Sequence, residues 1–341
     1  MTDSTTRPES PSAAQGERHR IAISRSILLG VALLLLVSVV GTLLVPGFAS
    51  YANIRSMLLL AAFLGLASLG QTLCAMLGGI DMSIPYVIGS SNIILAGLFN
   101  WGVSPILACL IVLLGGTVIG LLNGLLTFRS QSQALIMTLG MGFAVVGACQ
   151  IVTSIGSAYA GNVLGEVPPW LRNLSSVAGT TLGLPLPPVV IVWFAIAALL
   201  MTVMAKTLFG RSFYAVGGNR RAAARVLISE FRVWVVAYVI SGAMSAVTGM
   251  VLLGFSGGGF VGVGDPYLFT TVAAVVIGGT SLLGGWGGYG ATIVGVLVLT
   301  VLTSLLVGLG LSYAMQQAVF GLLIVPMVTL YARSPHIRTQ I

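Results

Sequence analysis

The sequence predicts an all-α protein that crosses a membrane about ten times, with its N- and C-termini in the cytoplasm. Of the 341 residues, 57% are hydrophobic and only 6% are charged, and the mean hydropathy is +1.07. Soluble domains carry about 25% charged residues, so this surface is not built for water. Apolar runs of about 20 residues, the length that a helix needs to cross the bilayer core, recur to the end of the chain.

The apolar runs divide the chain into one transmembrane domain, residues 27–332, flanked by cytoplasmic tails. The first 26 residues are expected to form a disordered tail, because they begin rich in Ser, Thr, Pro and Gln, and residues 333–341 form the second tail. The first run is too long for a signal peptide, so we expect it to remain uncleaved. The ten predicted spans are 27–45, 57–77, 84–101, 104–126, 132–154, 186–205, 233–254, 267–283, 288–310 and 313–331.

The basic residues test this arrangement. With the N-terminus inside, thirteen of the fifteen Lys and Arg residues are cytoplasmic, and only Arg55 and Arg172 are not. This asymmetry is what the positive-inside rule predicts. Six of the thirteen lie in one long loop, residues 206–232, which is therefore a candidate docking surface.

Two loops are predicted to face outward. In residues 155–185, Trp170 follows a pair of prolines, which predicts a short structured element at the membrane interface. This loop is either a passive connector or part of the docking surface of an external partner. Residues 255–266 are rich in glycine and form either a gate element or a simple turn.

The motifs that are missing exclude several functions. The sequence has no Walker A pattern, so it predicts no ATP site in this chain. It also lacks paired carboxylates, nucleophile motifs and metal-ligand clusters, so we expect neither an enzyme nor a metal site. The three cysteines lie in apolar runs as inert thiols, and the net charge of +8 sits in loops, so no nucleic-acid partner is expected.

Three polar residues inside the spans are candidates for a translocation path. Gln71, Asn92 and Asn123 either bond neighbouring helices to one another or line a path for an uncharged, hydroxyl-rich solute. Asp81 is the single acidic residue near a span, and we expect it at a cytoplasmic end. Carriers driven by protons or sodium usually keep buried charges for coupling, so the driving energy is expected to come from outside this chain.

Two glycine clusters occupy matching positions. Gly78-Gly79 lies at the end of the second span, before Asp81 and Ser83, and Gly278-Gly279 lies near the end of the eighth. Glycine allows close helix packing and breaks in the backbone. The two clusters suggest an internal duplication, with Asp81 either capping a broken helix or serving gating or partner contact.

These motifs resemble a known family. Residues 78–83, GGIDMS, resemble the GGIDLS signature of permease subunits of bacterial ABC importers of the ribose/xylose/arabinose type. Gly217-Gly218-Asn219 followed by Ala222-Ala223 is similar to their GGNPEAA loop. Residues 228–242 and 278–296 are similar to two further family blocks. The matches run in the family's order from about residue 50 to 330.

The resemblance implies a multi-pass inner-membrane permease subunit that imports a monosaccharide or related polyol. An external sugar-binding protein would deliver the solute, and a second permease copy or paralogue would complete the path within membrane lipid. A cytoplasmic ABC ATPase would hold the ATP and magnesium and would bind a short coupling helix. Asn219 would begin this helix, since Asn is a good N-cap and alanines propagate helices. We expect Ala223 to contact the ATPase, so that Ala223→Glu would block ATPase assembly but not membrane insertion.

Two other functions remain open at this point. One is the same machine with a branched-chain amino acid or a nucleoside as its solute, although the GGID-Ser signature favours sugars. The other is a secondary carrier or channel that works without an ATPase.

The chain departs from the family pattern at three places. Arg220-Arg221 replaces a usual Pro-Glu pair, Leu227 replaces a usual glycine, and Pro85 stands where Val-Gly is common. Two arginines at these positions would suit an acidic groove on the partner ATPase.

Overall fold

The computed structural model describes residues 12–154 and 161–332, and within these ranges all ten predicted spans form helices. These ten helices are α1 (Ser12–Leu44), α2 (Tyr51–Met76), α3 (Ile84–Asn100), α4 (Pro105–Phe128), α5 (Ala134–Ser154), α7 (Pro188–Lys206), α10 (Glu230–Ser256), α11 (Tyr267–Gly278), α12 (Tyr289–Gly308) and α13 (Tyr313–Ala332). The connections hold three short helices, two strands and two 3₁₀ turns. These are α6 (Pro169–Leu174), α8 (Leu208–Gly218), α9 (Arg220–Arg225), β1 (Asn162–Val163), β2 (Gly259–Phe260) and the turns Gln131–Gln133 and Val261–Gly264.

Membrane-spanning helices dominate the described part of the chain. Eight helical segments are long and apolar enough to cross a bilayer, and α3 is a shorter apolar helix. The 17 residues of α3 extend about 25 Å, slightly less than the bilayer core. Pro85 lies in the first turn of α3, where its missing N–H breaks no hydrogen bond. The proline that departs from the family pattern therefore starts this helix.

Helices α2 and α10 form the centre of the bundle. In the most apolar stretch of α2, 83% of the residues are buried, and in that of α10 the share is 61%. The share of buried residues is only 22% for α4 and 17% for the segment containing α5. Trp193, Trp234 and Tyr238 are the largest fully buried side chains and pack against this centre. The outer helices instead present exposed Leu, Ile and Val side chains, which suit contact with lipid.

The connection between α2 and α3 folds back into the bundle. Helix α2 ends at Met76, and Gly78 has a φ of +80°, a left-handed conformation that glycine adopts without strain. The chain then returns beside α2, so that the backbone N–H of Asp81 donates to the side-chain oxygen of Gln71 at 3.2 Å. Helix α3 therefore starts inside the protein.

The glycine-rich connection between α10 and α11 is a second re-entrant segment. Gly259 lies close to the backbone of Ile93, Val261 lies against Gly89, and Gly264 lies against Pro85. Residues 259–264 therefore run along most of α3 into the bundle before α11 begins. Of the two alternatives for residues 255–266, the simple turn does not fit, since the segment forms β2 and a 3₁₀ turn packed against α3. That it is a gate element stays a prediction.

The structure differs from the sequence-based expectations at the start of the first helix and the end of the eighth span. The backbone of α1 is helical from Ser12, so residues 12–26 are part of a helix although a disordered tail was expected there. Helix α11 ends at Gly278, five residues before the expected end of that span. Residues 1–11 and 333–341 of the two expected tails lie outside the described residues.

Candidate functional site

The loop between α7 and α10 forms a compact surface of two short helices at one end of the bundle, here called the α8–α9 end. Helix α9 begins as the sequence predicts, because the side-chain oxygen of Asn219 accepts a hydrogen bond from the backbone N–H of Ala222 at 2.9 Å. This is an N-cap, which satisfies a donor that the first helical turn leaves free. The prediction of a short helix over the alanine run is confirmed.

The alanines of α9 face in different directions. Ala222 and Ala224 are exposed, whereas Ala223 is 3% exposed and packs with Phe213 and Val216 of α8. Ala223 therefore packs against its own chain, and its role in coupling to the ATPase stays a prediction. The exposed alanines on the other face remain candidates for partner contact.

Of the two glycines before α9, one lies against another segment of the chain and the other has open space beside it. A methyl group added at Gly217 would overlap the carbonyl oxygen of Met76, whereas one added at Gly218 would meet no atom within 4 Å. The backbone N–H of Gly285 donates to that same Met76 oxygen at 3.1 Å. Helix α8, the end of α2 and residues 279–288 therefore meet backbone to backbone, and Gly217 permits this approach.

Arg220 turns inward and binds three elements of its own chain. Its guanidinium donates to the carbonyl oxygen of Leu77 at 2.8 Å, pairs with Glu230 at 3.2 Å and stacks over the ring of Trp234. Glu230 also accepts a hydrogen bond from Gln131 at 2.8 Å. Arg220 therefore anchors the start of α9 to the bundle. The expectation that both arginines serve an acidic groove on a partner needs correction, since Arg220 already has an acidic partner.

Arg221 fits that expectation better. It is exposed, and so are Arg211, Arg225 and Arg232 on the same surface. The α8–α9 end is consequently basic. Its surface charge comes from these exposed arginines, because Arg220 is engaged in contacts with its own chain.

The two glycine clusters end their helices in the same way. The N–H of Gly79 donates to the oxygen of Cys74 at 2.9 Å, and the N–H of Thr280 donates to the oxygen of Val275 at 3.0 Å. The preceding residues, Gly78 and Gly279, have φ values of +80° and +91°. Both endings are Schellman motifs, which place a left-handed residue just after the helix. The local likeness supports the matching positions read from the sequence; the duplication itself stays a prediction.

Gly278 has a further role in packing, because a methyl group there would overlap the carbonyl oxygen of Ala291. It therefore allows α11 to pack closely on α12. Gly217 and Gly278 are in this way placed where backbones approach one another.

Asp81 is the centre of a buried polar cluster. It is 1% exposed, and its Oδ1 accepts from the hydroxyl of Ser83 at 2.6 Å and from the backbone N–H of Ser83 at 3.0 Å. Its Oδ2 accepts from the hydroxyl of Ser241 at 2.7 Å. Asn123 donates to the Ser83 hydroxyl at 2.7 Å. We call Gln71, Asp81, Ser83, Asn123 and Ser241 the Asp81 cluster; it joins α2, the start of α3, α4 and α10.

The location and the role of Asp81 both differ from expectation. Ser241, its partner, lies eleven residues after Glu230, about 16 Å along α10. Asp81 is therefore inside the bundle. The N-cap position of α3 is Ser83, which makes no side-chain capping bond. Asp81 holds the turn before the helix instead of capping the helix itself.

The three path candidates are buried and bonded to other segments. Gln71 and Asn92 are 0% exposed and Asn123 is 1% exposed. Asn92 donates to the oxygen of Gly249 at 3.2 Å and accepts from the N–H of Phe260 at 3.0 Å. These bonds are the interhelical alternative of the sequence analysis. That these side chains line a path stays a prediction.

Asn92 also connects the re-entrant segment to the end opposite α8 and α9. It fixes β2, and β2 pairs with β1 of the 155–185 loop. In the same loop, Ser175 donates to the oxygen of Val251 in α10 at 2.7 Å. The short element expected around Trp170 is present as α6, and residues 155–160 lie outside the described part. This loop is thus fastened to the bundle.

Sequence reasoning missed three residues that shape these sites. Ser241 and Glu230 complete the bonding of Asp81 and Arg220, and Thr138 of α5 accepts from the backbone N–H of Met82 at 2.9 Å. Ser241 precedes Gly242 within an apolar span, and this small polar pair is the signal that could have identified it. The partner of Glu230 lies ten residues earlier across a loop, and no local pattern marks it.

Comparison with known proteins places this architecture in a family. Residues 53–328 match the family described as "Branched-chain amino acid transport system / permease component". The ribose import permease protein of Bacillus subtilis is 33% identical over 303 residues, which cover 87% of this chain and 90% of that protein. A probable ABC transporter permease protein of Escherichia coli K12 is 36% identical over 283 residues, covering 83% and 82%.

An autoinducer 2 import system permease protein of Shigella flexneri is 30% identical over 305 residues, covering 87% of this chain and 86% of that protein. No solved structure gives a significant match. The resemblance seen in the sequence motifs is thus confirmed over most of the chain. The chain belongs to the family of branched-chain amino acid transport system permease components and is a multi-pass inner-membrane protein.

Proposed function

We propose that this chain is the membrane permease of an ATP-driven importer and translocates a monosaccharide or related polyol. Helix α9 is the observation that carries the proposal. It is a capped helix on the basic surface between the sixth and seventh long helices, with one face held by its own chain and the other exposed. An exposed helix that is tied rigidly to the bundle can transmit the movement of a bound partner to the spans.

The partner at this surface is a cytoplasmic ABC ATPase, which binds the ATP and magnesium. This assignment puts α8, α9 and both termini in the cytoplasm, as the distribution of basic residues predicts. The cluster around Asp81 supports an external energy source. Asp81 is the one buried acid among the described side chains, and its partners there are hydroxyl and amide groups. Coupling to an ion gradient usually employs several buried charges.

The proposed solute follows the relatives. Two of them are named for the import of ribose and autoinducer 2, and the family description names branched-chain amino acids. The GGID-Ser signature at residues 78–83 resembles that of the sugar permeases, so a monosaccharide is favoured. An external binding protein would deliver the sugar to the 155–185 loop. A second permease copy or paralogue would complete the path.

Reconstitution into vesicles tests the proposal. The permease is reconstituted with an ABC ATPase and a sugar-binding protein from the same organism, and uptake of radiolabelled ribose and other monosaccharides is measured with and without ATP. We expect uptake of one of these sugars that requires ATP and all three components. Uptake by the permease alone would make this chain a secondary carrier or channel, and uptake of leucine or a nucleoside instead would reassign the solute.

A further inference from the structure

Leu227, just after α9, has a backbone conformation that is unfavourable for leucine. Its φ is +60°. The N–H of Leu227 donates to the oxygen of Ala224 at 3.1 Å, and the N–H of Ile228 donates to the oxygen of Ala223 at 3.1 Å. This is the same Schellman ending that closes α2 and α11. In those two helices the left-handed position holds Gly78 and Gly279, but after α9 it holds a leucine.

The side chain of Leu227 contributes little to the fold, since it is 93% exposed. A left-handed conformation strains leucine, whereas glycine adopts it freely and asparagine tolerates it. An exposed, strained leucine gives the fold nothing that glycine would not give, so this position is a candidate for a contact outside the chain.

The neighbours of Leu227 describe the contact. Val226 is 67% exposed, so two adjacent aliphatic side chains project from the end of α9. Arg221 and Arg225 on the same helix are exposed as well. An apolar pair beside free positive charge matches an apolar pocket with an acidic rim on a protein. The charges of Arg225 and of Arg232, five residues after Leu227, make burial among lipid chains unfavourable.

We propose that Leu227, supported by Val226, is an apolar anchor that inserts into a pocket of the partner ATPase, with Arg221 and Arg225 facing acidic groups at the rim of that pocket. The inference rests on the proposed function and makes it more specific. It assigns recognition of the ATPase to the left-handed residue that follows α9.

The test replaces Leu227 by residues that tolerate the left-handed conformation. Leu227→Gly and Leu227→Asn relieve the strain and remove the aliphatic side chain. Both variants should have a higher melting temperature than the native permease. Both should bind the purified ATPase that supports uptake at least about tenfold more weakly, since a buried leucine contributes that much or more.

Leu182 provides a matched control. It is also left-handed, with a φ of +51°, and is 97% exposed. It lies in the 155–185 loop, separated from α9 by the whole of α7. Leu182→Gly and Leu182→Asn should raise the melting temperature in the same way and leave ATPase binding unchanged.

The outcomes distinguish a failure of the Leu227 anchor proposal from a failure of the proposed function. If the native permease binds the ATPase and the Leu227 variants bind it equally well, the anchor is wrong and the proposed function stands. If the native permease binds no ATPase, both are wrong. In addition, Leu227→Cys should react with a membrane-impermeant maleimide in vesicles and become protected when the ATPase is added, measured against the native chain as background. Protection by the vesicle alone would assign the side chain to the lipid surface and overturn the anchor.

Discussion

Asp81 and Ser241 are joined by a hydrogen bond of 2.7 Å although they lie 160 residues apart in the sequence. The bond connects the re-entrant turn before α3 to the middle of α10, the helix that begins just after the α8–α9 surface. Arg220 makes a second connection between the same regions, from the start of α9 to the end of α2. Movement of the α8–α9 surface would therefore reach the turn at Asp81 through two named contacts.

Removal of the Ser241 hydroxyl should destabilise the bundle. In Ser241→Ala the buried carboxylate of Asp81 loses one of its three hydrogen-bond donors. The expected cost is about 1–3 kcal/mol in the free energy of unfolding, because a buried polar group is left with an unsatisfied acceptor and no access to water. Thermal unfolding of the purified permease measures this loss.

Ser245 is the control for this substitution. It is also buried, one turn further along α10, and its hydroxyl donates to the carbonyl oxygen of Ser241 in its own helix at 2.8 Å. Ser245→Ala should cost less, since that carbonyl retains its helical hydrogen bond. Equal losses in the two variants would mean that the bond to Asp81 adds no stability.

The contact between α3 and the second re-entrant segment predicts a strong position effect for alanine. A Cβ atom at Gly89 would overlap the carbonyl oxygen of Val261, whereas one at Gly97 of the same helix would meet nothing within 4 Å. Gly89→Ala should destabilise by about 1–3 kcal/mol through overpacking. Gly97→Ala should stabilise by about 0.5–1 kcal/mol, because alanine is the better helix former.

Melting temperatures of these two variants measure the difference. ATP-dependent uptake should fall with Gly89→Ala and persist with Gly97→Ala. If Gly89→Ala is as stable as the native chain, residues 259–264 do not lie against α3 in the membrane.

Much of the helical frame can be predicted from the sequence, because crossing a bilayer imposes a simple requirement on length and composition. The ten apolar runs become ten helices, and Asn219 begins α9 as N-cap chemistry predicts. Both predictions depend on interactions within a few residues. The family motifs then added the identity that composition alone could not supply.

The depth and partners of the polar residues could not be predicted in the same way. Asp81 follows two glycines at the end of an apolar run, a pattern that equally fits a surface loop. Its burial depends on Gln71, Asn123 and Ser241, which come from three other helices. Arg220 was misjudged for the same reason, since its interaction with Glu230 and Leu77 is tertiary. Periodicity and charge counts contain no information on such contacts.

The adjacent arginines of α9 are expected to act differently. Arg220→Ala should cost about 1 kcal/mol of stability, because it removes the bond to Leu77 and an ion pair whose partially exposed side chains make it weak. Arg221→Ala should change stability by less than about 0.5 kcal/mol, as expected for an exposed side chain, and should weaken binding of the ATPase. Unfolding of the free permease and equilibrium binding of the ATPase separate the two effects.

The salt dependence of binding gives a further check on the arginines. Attraction between exposed charges is screened by salt, so binding by the native permease should weaken as salt is raised, and Arg221→Ala should reduce that dependence. A loss of stability in Arg221→Ala, or none in Arg220→Ala, would reverse the assignment of the inward and outward arginines.

Glutamate substitutions in the alanine run should separate folding of α9 from binding of its partner. Ala223 is buried against α8, so Ala223→Glu places a charge in an apolar contact and should disrupt α9 and ATPase binding together. Ala224 is exposed, so Ala224→Glu should leave the melting temperature unchanged. It should nevertheless weaken ATPase binding, because it brings negative charge to a surface whose exposed arginines favour an acidic partner. Co-purification with the ATPase, measured beside thermal unfolding, distinguishes the two variants. Normal ATPase binding by Ala224→Glu would show that the exposed face of α9 is not the contact.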